Sequence, residues 1–176
     1  VLCWVGVTPA LEQRSQAIAR SMAKVLKAAG VDFAILGDEE TFTGDPARRM
    51  GNEYLFQILA QQNIETLNSY DVKKVVTICP HCFNTMKNEY PQFGGNFEVL
   101  HYSQFVDQLI SKGSIKPVKM MDMTMAYHDS CFLGRHNGAY DEPRNVAKAI
   151  TGLKLVELGS SGRERGHCCG DGGVRR

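Results

Sequence analysis

The 176-residue chain has almost no net charge and no long apolar run. Lys and Arg number 20 against 19 Asp and Glu, and a balance of +1 removes the electrostatic case for binding nucleic acid or docking a polybasic face on a membrane. The longest apolar stretches, such as 33–36, are a few residues long, so no segment reads as a bilayer span. The opening residues do not read as a signal peptide, which sets the expectation of a cytoplasmic protein. Two cofactor signatures are also missing. No G-x-G-x-x-G follows the first expected strand, which disfavours a dinucleotide-binding Rossmann enzyme. No C-x-x-C-x-x-C-x-x-x-C run of the ferredoxin type occurs, so any redox role is that of one relay station.

What the chain does have is the composition of a folded domain. Hydrophobic residues at 43% against 22% charged argue for a globular fold, and 176 residues suffice for one core but not for two large domains. Apolar periodicity predicts strands over 1–6, 31–36, 72–78, 97–100, 123–127 and 153–158. Helices are predicted over 11–29, 45–68, 80–89, 103–111 and 143–150. In the first of these, Leu11, Ile18, Met22, Val25 and Leu26 share a face; Asp45 then Pro46 reads as N-cap and first helical residue of the second. The alternation gives an α/β fold with a mostly parallel sheet and flanking helices.

The six cysteines are unevenly placed: Cys3 alone, Cys79 with Cys82, Cys131 alone, and the adjacent Cys168 and Cys169. That is not a disulfide framework, because a chain with enough apolar residues for a core does not need one. Clustered thiols of this kind bind metal or do redox work. Cys79, Cys82, Cys131, Cys168 and Cys169 all follow the carboxyl ends of predicted strands, where open α/β sheets bind their ligands, so the five could share one crevice. Cys79-Pro80-His81-Cys82 puts two thiols one turn apart at a helix start. Alone this fits a metal half-site, a thioredoxin-like redox pair, or inert buried thiols. The glycines around Cys168 and Cys169, namely Gly162, Gly166, Gly170, Gly172 and Gly173, would free the backbone for close approach to a cofactor; a flexible tail is the alternative.

With these residues in view the chain resembles the cysteine-rich CCG domain of heterodisulfide-reductase-type iron–sulfur oxidoreductases. The stretches carrying the resemblance are TGDPARR over 43–49, residues 51–68, CPHCFNT over 79–85 and YHDSCFLGRHNG over 127–138. They are most similar to the branch linking electron transfer flavoprotein to quinone. The resemblance implies two pseudo-repeated Rossmann-like halves, 1–115 and a second, incomplete 116–176, forming one unit. It implies a [4Fe-4S] cluster, in some members non-cubane, held by thiolates. Counted by the family's spacing, Val7 and Phe42 stand where the first copy would carry its other cysteines, and neither can bind iron. The second copy begins at Cys131 and continues at Cys168 and Cys169, and its C-x-x-C would fall beyond Arg176.

The ligand candidates are therefore Cys79, Cys82, Cys131, Cys168 and Cys169, with Cys3 a poor one because it sits within a strand. His81, His128 and His167, each near a thiol, are candidates for outer contacts or proton transfer, whereas His101 reads as a turn-closing residue. Asp45, Arg48 and Arg49 read as a cap and salt-bridged surface, with a docking or carboxylate-binding site as the alternative. The expected function is electron relay between a flavoprotein or thiol/disulfide partner and a quinone-reducing membrane module, at the cytoplasmic face of a membrane through other segments or subunits. Two alternatives stay open: a docking module with zinc or no metal at the remaining thiols, and a thiol–disulfide oxidoreductase using Cys79 and Cys82.

Overall fold

A computed structural model describes residues 1–170 of the chain. Three short strands, β1 (Leu2–Trp4), β2 (Lys74–Thr77) and β3 (Glu98–His101), form a parallel sheet in that order, with Trp4, Thr77 and His101 level at its carboxyl end. Side chains alternate across its two faces, as strand geometry requires. Leu2, Trp4, Val75 and Val99 point into one core, which contains Phe56, Ala60, Ile64 and Leu67 of helix α4 (Glu53–Ser69). Cys3 and Val76 point into the other, against Met22 and Leu26 of α2 (Gln13–Ala28) and Phe105, Val106 and Leu109 of α6 (Tyr102–Ser111). Burial on both faces accounts for the apolar, β-branched strands read from sequence.

A second, two-stranded parallel sheet pairs β4 (Met123–Ala126) with β5 (Leu153–Val156), and helix α7 (Asp141–Lys148) lies between them in sequence. The expected single sheet is thus two short parallel ones. They are joined by the contact of α6 with α7, where Gln104 donates to Glu142 and Asn145 to Asp107. They are also joined through the loop after β4, whose Leu133 and Ala139 insert into the core beside α4. No helix among the described residues is long and apolar enough to cross a membrane.

Three local expectations are corrected. The stretch 31–36, expected as a buried strand, makes one bridge, Ala34 to Leu2, and leaves Ile35 56% exposed. It runs along the outer edge of the sheet, where only one side offers hydrogen-bond partners. The helix expected over 45–68 is two: α3 (Asp45–Arg49) ends before Gly51, whose φ of 80° no helix accommodates, and Asn52 restarts the chain by accepting the Leu55 N–H at 3.1 Å. Asp45 is not a cap, since Gly44 holds that position. The helix expected over 11–29 is also divided, with a short α1 (Val7–Leu11) ahead of α2, and Leu11 and Ile18 of the expected apolar face are exposed.

Candidate functional site

The sheet places Cys79 two residues past β2, and Pro80 opens the short helix α5 (Pro80–Asn84) there. Its first turn brings the Cys82 N–H onto the Cys79 sulfur at 3.4 Å, and the Thr43 hydroxyl points at the Cys82 sulfur at 4.0 Å. A hydrogen bond between the two thiols, with help from the N–H groups of the turn and the charge of His81, pulls Cys79 down to about 6. The same bond, together with burial, pushes Cys82 up. The pair therefore holds one proton between two sulfurs near neutral pH.

Asp45 anchors this turn from α3. Only 2% exposed, its carboxylate meets His81 Nδ1 at 2.8 Å, Arg49 Nε at 3.1 Å and the Thr85 hydroxyl at 3.1 Å. Burial works to raise Asp45, but these donors outweigh it and leave the carboxyl below its ordinary range. In return, Asp45 and the Cys79 sulfur raise His81 against its burial. Arg48 and Arg49 both turn toward the nearly buried Glu89 and form ion pairs with it. The salt-bridge reading of these two arginines holds, though they serve an interior cluster and not a surface.

The other thiols come from the second sheet. Cys131 lies in the turn after β4, and Cys168 and Cys169 lie in the irregular stretch after β5, where they are exposed. Burial and the neighbouring Cys168 and Cys169 thiols, the former within hydrogen-bonding reach, push Cys131 up. These three thiols form one group, and Cys79 with Cys82 the other. The loop carrying Cys131 packs against the Cys79–Cys82 turn along a seam in which Phe132, next to Cys131, lies tilted by 40° on His81 with ring centroids 4.1 Å apart and stacks on His136 at 4.7 Å. Arg49 lies 5.6 Å over the same ring. Asn137 fastens the seam by donating to Asn84 at 2.9 Å, beside the α5 turn.

His128 and His167 stand exposed beside the thiols, and His81 is the one histidine of the three built into the seam. Cys3 sits mid-strand in the core opposite Val76, its thiol pushed up to about 11 by burial and the Glu40 charge. His101 closes the first turn of α6 as expected. Gly172 and Gly173 lie outside the described residues.

Sequence reading missed a set of charged residues that build the site. Glu40 accepts the N–H groups of Val5, at 2.9 Å, and Gly6, just before Val7. Arg144, 1% exposed, grips Asp129 and Glu157. Asp129 lies in the stretch His128-Asp129-Ser130-Cys131, a carboxylate two residues from a thiol, and that proximity was the available signal.

The arrangement suits sulfur-liganded metal. No three His, Cys, Asp or Glu side chains among the described residues gather as a single ion requires. A multi-iron cluster takes each cysteine on its own iron and so accepts sulfurs that stand apart. A donor set made only of thiols, with N–H groups of Cys82 and Gly170 already on sulfur, fits that chemistry.

The model of the cysteine-rich domain family, CCG, matches residues 5–87 and 125–176. The chain is a member of the cysteine-rich domain family. Its relatives include the EtfAB:quinone oxidoreductase of Syntrophomonas wolfei, 48% identical over 99% of this chain and 24% of that protein. The probable iron-sulfur-binding oxidoreductase FadF of Bacillus subtilis is 51% identical over 98% of this chain and 24% of its own length. The dihydromethanophenazine:CoB–CoM heterodisulfide reductase of Methanosarcina barkeri contributes a third relative, one of its polypeptides, 38% identical over 98% of this chain and 43% of that polypeptide. The chain therefore spans less than half the length of these relatives. No solved structure matches it. The family resemblance is borne out, as is the α/β class with helices flanking parallel strands.

Proposed function

We propose that this chain is the cysteine-rich, cluster-holding domain of an iron–sulfur oxidoreductase, relaying electrons between a flavoprotein or thiol/disulfide partner and a quinone-reducing module carried by other segments or subunits at the cytoplasmic face of a membrane. The observation that supports this reading is the packing of the Cys131 loop on the Cys79–Cys82 turn, Phe132 against His81, with Cys168 and Cys169 neighbouring Cys131. The names of the relatives, which pair an electron transfer flavoprotein with quinone or specify a heterodisulfide, support the choice of partners.

Cys79, Cys82, Cys131, Cys168 and Cys169 would hold the cluster, a [4Fe-4S] or a non-cubane form of it. When bound, it supplies one-electron transfer. The chain's own residues do the rest. Cys79, already low, gives up its proton most readily, and the N–H groups of Cys82 and Gly170 lie on sulfur where they stabilise negative charge. Asp45 fixes the orientation of His81 and, with the Cys79 sulfur, favours the charged form of its imidazole.

The depressed Cys79 favours a second reading, thiol–disulfide exchange at Cys79 and Cys82 without iron. One experiment separates the two, and also the docking module that Val7 and Phe42 favour. Iron, acid-labile sulfide and zinc are measured per chain after anaerobic purification and reconstitution, with low-temperature EPR on the same sample. Iron and sulfide in step, both lost in the Cys168→Ser/Cys169→Ser variant, is the expected result. Zinc, or no metal in a folded chain, overturns the relay.

A further inference from the structure

We propose that Arg144 is a positioning residue whose guanidinium holds the Cys131 turn and the Cys168–Cys169 segment in register before any metal arrives. The inference rests on the proposed function only in assigning those thiols a ligand role.

Every N–H of this guanidinium has an acceptor. Nε donates to Glu157 at 2.7 Å, Nη1 to Asp129 at 2.7 Å and to the Tyr140 carbonyl at 2.7 Å, and Nη2 to Asp129 at 2.8 Å and Glu157 at 2.8 Å. The ring of Tyr127 lies 5.3 Å from its centre. A buried planar fork with all donors used fixes the mutual placement of what it binds, which a flexible ammonium with fewer donors cannot do. Its acceptors come from three places: the turn that carries Cys131, the start of α7, and the residue after β5.

Asp129 then passes the constraint on. Its Oδ2 also accepts the N–H of Arg163 at 2.6 Å, in the stretch leading to Cys168. On the other side of the turn, Arg135 donates to the carbonyl of Gly166. A Cβ at Gly166 would lie 3.4 Å from the Asp129 carbonyl oxygen, so the two segments approach backbone to backbone. Between Val156 and Cys168 the chain makes only two short 3-10 turns and is mostly exposed, with no ladder and no core contact to hold it. Polar contacts radiating from Asp129 and Arg144, with that of Arg135, are what hold the stretch leading to Cys168 and Cys169 against the Cys131 turn.

Thiol pairing in the metal-free, reduced chain tests this with an internal control. Diamide closes each disulfide as two thiols lose their protons and pass two electrons to the reagent, which becomes a hydrazine. Mass mapping follows the closure of Cys131 with Cys168 or Cys169 alongside the closure of Cys79 with Cys82. Arg144→Met is expected to slow the first by about tenfold while the second changes by less than about twofold, because only the first pair loses its enforced proximity. Arg135→Met, at an exposed residue whose loss does not threaten folding, is expected to slow the first several-fold and leave the second alone. Equal slowing of both pairs in each variant, or unchanged closure of Cys131 in both, overturns the positioning role. If Arg144→Met does not fold, the Arg135→Met result decides alone. Iron binding by the unaltered chain is read separately: its failure removes the ligand role and leaves the thiol result standing.

Discussion

His81 hydrogen bonds to Asp45 at 2.8 Å and packs its ring, tilted by 40°, on Phe132 at 4.1 Å, so one imidazole joins the first α/β half to the loop that carries Cys131. The carboxylate behind it is nearly inaccessible, and the ring in front belongs to the next thiol-bearing turn. A side chain lying between two candidate ligand cysteines is thereby fixed from both sides.

Asp45→Asn keeps the shape of this junction and removes its charge. His81 and Arg49 are partly exposed, so the expected loss of stability is about 1–3 kcal/mol, less than for a fully buried pair. Without its partner the charged form of His81 is less favoured, and the Cys79 thiol, now at about 6, should move up. The pH dependence of iodoacetamide alkylation at Cys79 in the metal-free chain measures this. An unmoved midpoint would show that His81 does not act on the sulfur.

His101 predicts an acid-sensitive fold. It is 3% exposed, bonded to Ser103 and to the Ile78 carbonyl, and burial holds it down at about 4. The folded chain keeps this ring neutral while the unfolded chain protonates it from about pH 6.5 downward. Stability should therefore fall as pH drops from about 6.5 to about 4, by about 3 kcal/mol from this group, and lose nothing more to it below that. Urea midpoints across this window should flatten in His101→Gln.

Neighbouring residues of the Cys131 loop should differ in cost. Leu133 is 1% exposed within the core beside α4, and Leu133→Ala should destabilise by about 2–5 kcal/mol. Phe132→Leu loses ring stacking and should cost about 0.5–1.5 kcal/mol. Because Leu133 belongs to the second half by sequence and to the first by packing, unfolding of residues 1–115 and 116–176 should be one transition by circular dichroism and by Trp4 fluorescence. Two separated transitions would show that the halves are independent.

Gly44→Ala should be costly despite its small size. Its φ is 84°, and a Cβ there would come within 2.8 Å of the Phe56 ring. Strain and clash together should cost about 2–4 kcal/mol and displace Thr43 and Asp45 from Cys82 and His81. An unchanged urea midpoint would contradict the geometry.

Much of this was legible from sequence where burial is symmetric. Val75 and Val76, buried on opposite faces, announce a strand by being β-branched and consecutive. The stretch 31–36 carries the same signal, yet periodicity cannot tell a central strand from a sheet edge, and the run shrank to one bridge at Ala34. Gly51 interrupts an otherwise continuous helical pattern, but an isolated glycine is tolerated often enough in helices that only the observed φ identifies it as a break. Thiols declare their chemistry by type, so the cysteine groups could be named without a structure. Arg144 and Glu40 could not, because a charged residue in a sequence carries no mark of whether its partner lies in water or tens of residues away in the interior.

Past Asn84 the chain makes a widened turn, Thr85–Glu89, of the π type before tightening to 3-10 at Tyr90. Thr85, Met86 and Glu89 are all buried, and Glu89 takes Asn84 at 3.3 Å as well as both arginines of α3. The extra residue that such a turn accommodates advances everything after it by about 100° around the helix axis. Deleting one residue here would restore ordinary winding, swing Glu89 away from α3, and take from Arg48 and Arg49 the carboxylate they share. Evolution can thus trade side chains along this turn more freely than it can change its length.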